Sequence, residues 1–309
     1  MKGGPAMVVA FKKKKNPVQM PREKALVLAY MAANCKTEWE GIEAIERSIE
    51  GLPEGSDWIR YGRGVVAYLK GETDTPPVQI IKADGNRKLP FYTWSVVPLY
   101  TCPGKGACAK FCYSLRSWRF SPALMRQVMN TILFRFRREV IERAFQALPQ
   151  GTTVRLFVDG DFDSLESVEW WFSQIRKRAD LKVYGYSKSW DELYAYNGIW
   201  PDNYQLNLSS GGRIRTITKE QMVSLPITRG EFVAVKVDRK LIKIGEGRYA
   251  LPEYHKAVRD AAKAAGFSKA LSCPGNCGGC VKNTDGSNLH ACGGGRSGLI
   301  GLPIAIGIH

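Results

Sequence analysis

Apolar residues recur at helical spacing in the first part of the chain. Residues 22–34 carry Ala25, Leu26, Leu28, Ala29 and Ala32, and residues 38–49 carry Trp39, Ile42, Ile45 and Ile49, so both predict helices with one core-facing side. A further helical or mixed segment covers residues 57–70, and Gly71-Glu-Thr-Asp-Thr-Pro-Pro77 reads as a linker. Together these predict a small, mainly helical N-terminal subdomain over residues 21–85. Residues 1–20 read as a flexible basic arm, ended by Pro17 and Pro21.

The pattern then changes to alternating strands and helices. Trp94-Ser-Val-Val97 reads as a first strand, and Ser121-Pro122 as an N-cap with proline at the first helical position. The helix so opened runs to about residue 147, with Leu124, Val128, Ile132, Phe136 and Val140 at intervals of four. Further strands are Val154-Arg-Leu-Phe-Val158, Lys182-Val-Tyr-Gly-Tyr186, Tyr204-Gln-Leu-Asn-Leu208 and Phe232-Val-Ala-Val-Lys-Val237. Helices follow at residues 164–178, 190–196 and 252–265. Strand, polar tip, helix, repeated, predicts an α/β fold: a (β/α) barrel-like or partial barrel with parallel strands and a Cys-rich C-terminal loop region. Its active face would lie at the carboxyl ends of the strands. The polar tips Asp159/Asp161, Ser187/Lys188 and Ser209/Ser210 would share that rim, together with the residues around Cys112. Residues 86–309 form the predicted metal-binding domain.

Charge adds a partner. The 309 residues carry a net charge of +16, and residues 1–15 supply five lysines and no acid, leaving +11 on the rest. An excess of that size favours a polyanion, nucleic acid being the commonest. Lys12, Lys13, Lys14 and Lys15 on the arm are candidate contacts, as are Arg213 and Arg215 in Gly211-Gly-Arg-Ile-Arg215. No apolar run is long enough to span a bilayer. The stretch Met7-Val8-Val9-Ala10-Phe11 is too short for a secretory signal, and its lysines follow rather than precede it. The expected compartment is a reducing cytoplasm, where clustered cysteines mean metal or redox chemistry more often than disulfides.

Seven of the eight cysteines fall into two groups. The first is Cys102-Pro-Gly-Lys-Gly-Ala-Cys108-Ala-Lys-Phe-Cys112; the second is Cys273-Pro-Gly-Asn-Cys277-Gly-Gly-Cys280, with Cys292 beyond. Such spacing lets thiolates turn onto one point, as zinc or an iron–sulfur cluster requires. Three thiols leave a position open for water or substrate, whereas four close a tetrahedral zinc or a cubane. The chain has three histidines, His255, His290 and His309, and His290 lies close enough to Cys292 to replace a thiol. Lone Cys35 reads as a buried small hydrophobe. Asp159 and Asp161 are candidate catalytic carboxylates, and Trp94, Tyr113 and Trp118 can stack bases. Two function classes stand: an iron–sulfur enzyme, and a non-enzymatic nucleic-acid-binding protein organised by structural zinc.

The ordered set Cys102-x5-Cys108-x3-Cys112-Tyr113, Val154-Arg-Leu-Phe-Val-Asp-Gly-Asp-Phe162, Tyr184-Gly-Tyr-Ser-Lys-Ser189 and the C-terminal Cys-Pro group resembles the gene-product-88 family of phage and plasmid proteins, over about residues 87–292. That resemblance implies mobile-element biology, in replication or nucleic-acid processing. More distantly, the same order resembles radical S-adenosylmethionine (SAM) enzymes. This second resemblance implies a [4Fe–4S] cluster on Cys102, Cys108 and Cys112. It also implies that Asp159-Gly160-Asp161 meets the methionine amino group, and that Ser187, Lys188 and Ser209 lie near ribose or carboxylate. The spacing departs from the superfamily's Cys-x3-Cys-x2-Cys, which occurs here only at Cys273, Cys277 and Cys280.

Overall fold

The computed structural model describes residues 18–83, 89–213, 216–242, 252–275, 277, 292 and 299–308. Lys12 to Lys15, Arg215, Cys280, His290 and His309 fall outside the described residues.

Helices α1 (Arg22–Asn34), α2 (Glu38–Ile49) and α3 (Asp57–Leu69) form where the apolar spacing places them. The Thr37 hydroxyl accepts from Glu40 N at 3.2 Å and the Ser56 hydroxyl from Ile59 N at 3.4 Å, satisfying amides that the first turns of α2 and α3 leave without partners. Trp39 departs from the core pattern. It is 54% exposed, donates its indole N–H to Glu43 Oε1 at 2.8 Å, and carries Lys70 Nζ 5.2 Å above its ring. All three helices pack against α4 (Ser121–Phe136), and one apolar cluster runs from Leu28 and Ile45 through Val128 and Ile132 to the sheet.

The long helix expected to residue 147 is two helices. Arg137 leaves helical geometry at φ −141°, and α5 (Arg138–Gln146) starts beyond it. The cause is tertiary: the Arg137 guanidinium pairs with Glu38 at 2.8 Å and donates to the Leu69 carbonyl, fastening the break to α2 and α3.

The strands are β1 (Tyr92–Thr93), β2 (Thr153–Leu156), β3 (Lys182–Ser187), β4 (Tyr204–Ser209), β5 (Thr228–Lys236), β6 (Leu271–Cys273) and β7 (Ile304–Ile308). They form one seven-stranded sheet in the order β1-β2-β3-β4-β5-β7-β6, every pairing parallel, and the sheet is a half-barrel with helices around it. The β1–β2 pairing extends past β1 through Trp94 N to Arg155 O and Val158 N to Trp94 O, each 3.0 Å. Connecting helices are α6 (Leu165–Lys177), α7 (Trp190–Tyr194), α8 (Lys219–Val223), α9 (Arg239–Ile242) and α10 (Pro252–Ala264). Strands β6 and β7 and the short helices α8 and α9 go beyond the sequence expectation.

Successive side chains on a strand face opposite sides. Val154, Leu156, Val183, Leu206 and Leu208 join the cluster holding Trp171, Phe172 and Ile175 of α6. The alternate residues Arg155, Tyr184, Tyr186 and Asn207 face the other way. Parallel sheets covered by helices on both faces read as continuous apolar runs. Here one face is apolar, and the inner face carries polar side chains suited to a polar occupant.

Candidate site at the carboxyl edge of the sheet

The first cysteine loop is fastened to the strand tips by its backbone. Leu99 takes a left-handed conformation (φ 69°), and the Thr101 hydroxyl donates to Val97 O at 2.6 Å. Across the rim, Arg213 N donates to Gly104 O at 2.8 Å, and Lys105 pairs with Gly212 as an antiparallel bridge. Glycine makes this approach possible. A Cβ on Gly104 would stand 1.6 Å from the Lys188 carbonyl oxygen, and one on Gly106 would stand 2.7 Å from Gly211 O. The loop thus lies directly on the tips of β3 and β4.

Within it, Cys102, Cys108 and Cys112 are partly buried. Burial pushes the Cys102 thiol up, and the neighbouring charges of Asp161, Cys112 and Cys108 push it further. The Cys112 thiol is also raised by burial, with Asp159 adding to it. Cys102 therefore lies within electrostatic reach of Asp161, Cys108 and Cys112, and Cys112 within reach of Asp159. Among the described residues, no three Cys, His, Asp or Glu side chains are closed into a metal-holding group.

Asp161 is a fastener as the structure stands. Its Oδ1 accepts from the Ser187 hydroxyl at 2.7 Å and from Phe162 N at 2.9 Å, and its Oδ2 accepts from Lys188 N at 2.8 Å. These bonds tie the β2 tip to the β3 tip. Burial raises the Asp161 carboxyl, and the same hydrogen bonds oppose the rise. Asp159 takes the other direction: its Oδ2 accepts from Gln127 Nε2 at 2.9 Å, and Ser114 and Ser95 also bond it. Burial raises its pKa against those bonds and the charge of Arg155. Between the two, Gly160 has φ +82°, and a Cβ there would come within 2.3 Å of Val96. Lys188 Nζ donates to the Ser209 hydroxyl. The structure thus gathers Asp159, Gly160, Asp161, Ser187, Lys188, Ser209 and the backbone of Arg213 on one rim with the first triad.

The second group enters the inner face. Cys273 ends β6, where its carbonyl accepts from the Tyr254 hydroxyl at 3.0 Å, and the Cys292 carbonyl accepts from Asn207 Nδ2 at 2.8 Å. Burial raises the phenols of Tyr184 and Tyr186 well above their ordinary range, and the charges of Cys273 and Cys292 raise both further, with Cys277 adding to Tyr184. Those thiols therefore lie within electrostatic reach of the Tyr184 and Tyr186 phenols on the inner face. Burial alone would lower the Arg155 pKa, but the surrounding phenols and Cys277 outweigh it and hold the guanidinium charged. Arg155 also stacks 4.6 Å over the Tyr186 ring. His255 is engaged elsewhere, its Nδ1 2.8 Å from the Ser272 hydroxyl. Cys35 is buried under α2, its Sγ 3.5 Å from Ala32 O, apart from both groups.

Sequence reasoning did not single out Gly104, Gly106, Gln127 or Arg155. The two glycines between Cys102 and Cys108 were the available signal for the first pair, and the polar alternation of β2 and β3 was the signal for Arg155. Among the described residues, no helix is long and apolar enough to cross a membrane.

No curated protein and no solved structure matches the chain. A family model described as gene product 88 matches residues 70–286, which takes in the first cysteine loop, strands β1 to β6 and three cysteines of the second group. That span is well over half of the 309 residues, and the chain belongs to the phage gene-product-88 family.

Proposed function

We propose that this protein is an iron–sulfur protein of a phage or plasmid, acting at the carboxyl edge of its half-barrel on or with nucleic acid in the host cytoplasm. Cys102, Cys108 and Cys112 would hold a [4Fe–4S] cluster, and the rim beside them would take S-adenosylmethionine. The observation that carries the reading is the glycine-mediated seating of the cysteine loop on the β3 and β4 tips. It gives three thiols and a polar rim a common edge.

The donor set fits the group. Three thiols leave one iron of a cubane open to a small molecule. Thiols raised by burial and by neighbouring negative charge are stabilised as thiolates when a cation binds among them. When bound, a reduced cluster of this kind supplies an electron for reductive cleavage of S-adenosylmethionine. The chain's own residues then have distinct tasks. Asp161 holds Ser187 and the Lys188 backbone in place, Lys188 and Ser209 present a cation and a hydroxyl to a carboxylate or ribose, and Asp159 beside Gln127 offers a buried acceptor. Cys273, Cys277, Cys280 and Cys292 would bind a second cluster or zinc.

A second reading is supported by the closed, four-thiol spacing of that C-terminal group: structural zinc organising a non-enzymatic nucleic-acid-binding protein. Anaerobic purification separates the two. The first reading expects a brown protein with iron and sulfide in near-equal amounts, and loss of one cluster's worth of iron in Cys108→Ala. It also expects cleavage of labelled S-adenosylmethionine by the reduced protein. A colourless preparation containing zinc alone would overturn it.

A further inference from the structure

We infer that the exposed edge of the 3-10 segment Tyr113–Arg119, with Phe120 and the neighbouring lysines, is a binding surface for single-stranded nucleic acid. Charge sets this stretch of the chain apart. Residues 89–138 contain eight basic residues and no acid. Four of the eight are spent inside the fold. Arg126 donates to Gln79 O at 2.8 Å and Arg135 to Cys35 O at 3.0 Å, while Arg137 pairs with Glu38 and Arg138 with Glu166.

The other four, Lys105, Lys110, Arg116 and Arg119, surround the first cysteine loop and are exposed, with Lys105 donating to the Leu99 carbonyl of the same loop. Among the described residues none of them pairs with a carboxylate. Elsewhere the exposed helix arginines Arg47, Arg60 and Arg63 each find one.

Local geometry then turns these charges into a row. A 3-10 helix has three residues per turn, so every third side chain eclipses the one before, about 6 Å apart. Tyr113, Arg116 and Arg119 obey that period and are exposed, while Ser114 and Trp118 are buried. The row is aromatic as well as basic. Tyr113 is 64% exposed and Phe120 is 54% exposed, two of the largest apolar surfaces left uncovered. The Tyr113 hydroxyl donates to Val158 O at 3.3 Å, which fixes the ring at the rim, and the Arg119 guanidinium lies 4.8 Å over the Phe120 ring.

Cations interleaved with fixed, exposed ring faces match a chain that offers one phosphate and one unstacked base at each step. A duplex offers phosphates but hides its base faces, so the rings favour a single strand. This inference deepens the proposed function by naming a substrate class, and rests on that reading only in making the bound strand a substrate. The strand would pass directly beside Cys112.

The test is fluorescence anisotropy of the full chain with a labelled single-stranded thymidine 20-mer, over a range of salt. Arg116→Glu with Arg119→Glu should weaken binding at least tenfold and flatten the salt dependence by more than one phosphate contact's worth, roughly 0.7 in slope each. Tyr113→Ala with Phe120→Ala should weaken the single strand about tenfold yet leave binding of heparin, a polyanion without bases, within twofold. Circular dichroism melts establish that both variants fold. Wild-type affinity in the folded Arg116/Arg119 variant would overturn the inference. So would equal loss of heparin and oligonucleotide binding in the Tyr113/Phe120 variant, or complete loss of binding on neutralising Lys12 to Lys15 alone. Iron and sulfide are measured in the same samples, so failure of the cluster and failure of the surface are read separately.

Discussion

Around Cys102, Cys108 and Cys112 the chain is held by main-chain contacts. Gly104 and Gly106 lie against carbonyls of the opposite tips, and Arg213 N closes on Gly104 O. Around Cys273 and Cys292 side chains add to the backbone pairing of β6 with β7: Tyr254 and Asn207 donate to the two cysteine carbonyls. Backbone contacts fix the path of a loop whatever its side chains do, and tolerate no added atom. Side-chain contacts hold a segment at separate points and lose them one at a time. The rim group is therefore the more rigidly placed and the more sensitive to a single methyl. The inner group depends on burial and on the charge of Arg155.

Gly104→Ala should break this contrast most forcefully. Its Cβ would overlap the Lys188 carbonyl, so the loop must lift, costing roughly 3 kcal/mol or more in urea unfolding. Metal content should fall to the share held by the second group. Wild-type stability and metal content in this variant would remove the distinction. Asn207→Ala should act on the other group. It deletes bonds to Gly185 O (3.1 Å) and Cys292 O (2.8 Å), a loss of about 2 kcal/mol that should spare metal on Cys102, Cys108 and Cys112. Loss of the first group's metal instead would show the two to be one unit.

The smallest effect concerns Asp159. Its folded pKa is raised, so its contribution to stability is full below the ordinary carboxylate range and is lost as pH rises through the raised value. Measured against Asp159→Asn, the wild type should lose stability as the pH rises from 4 to 8. A flat difference over that range would show the carboxylate to be fully compensated by Gln127, Ser114 and Ser95.

What could be read from the chain was local. The spacing of Ile42, Ile45 and Ile49 marks α2, and the polar tips Asp159/Asp161 and Ser187/Lys188 mark the rim, because each strand is followed at once by its own loop. What could not be read arises from distant approach. The break at Arg137 comes from Glu38 and Leu69, about a hundred and about seventy residues away in sequence. The contact of Gly104 with Lys188 likewise joins loops that no periodicity links. Arg155 looks like any strand arginine until β3 brings Tyr186 beneath it. β6, with three residues, is too short to announce itself, although the apolar run after Pro303 marks β7 in hindsight.

The order β5-β7-β6 has a temporal consequence. Among the described residues β6 pairs with β7 alone, and β7 comes later in the chain, so the strand pairing that ends at Cys273 forms when β7 slots in beside β5. The rim, by contrast, is complete once β4 and its tip have folded. If the outer thiols hold a cluster as proposed, its site would not require the sheet to be sealed, whereas a site on the inner thiols would.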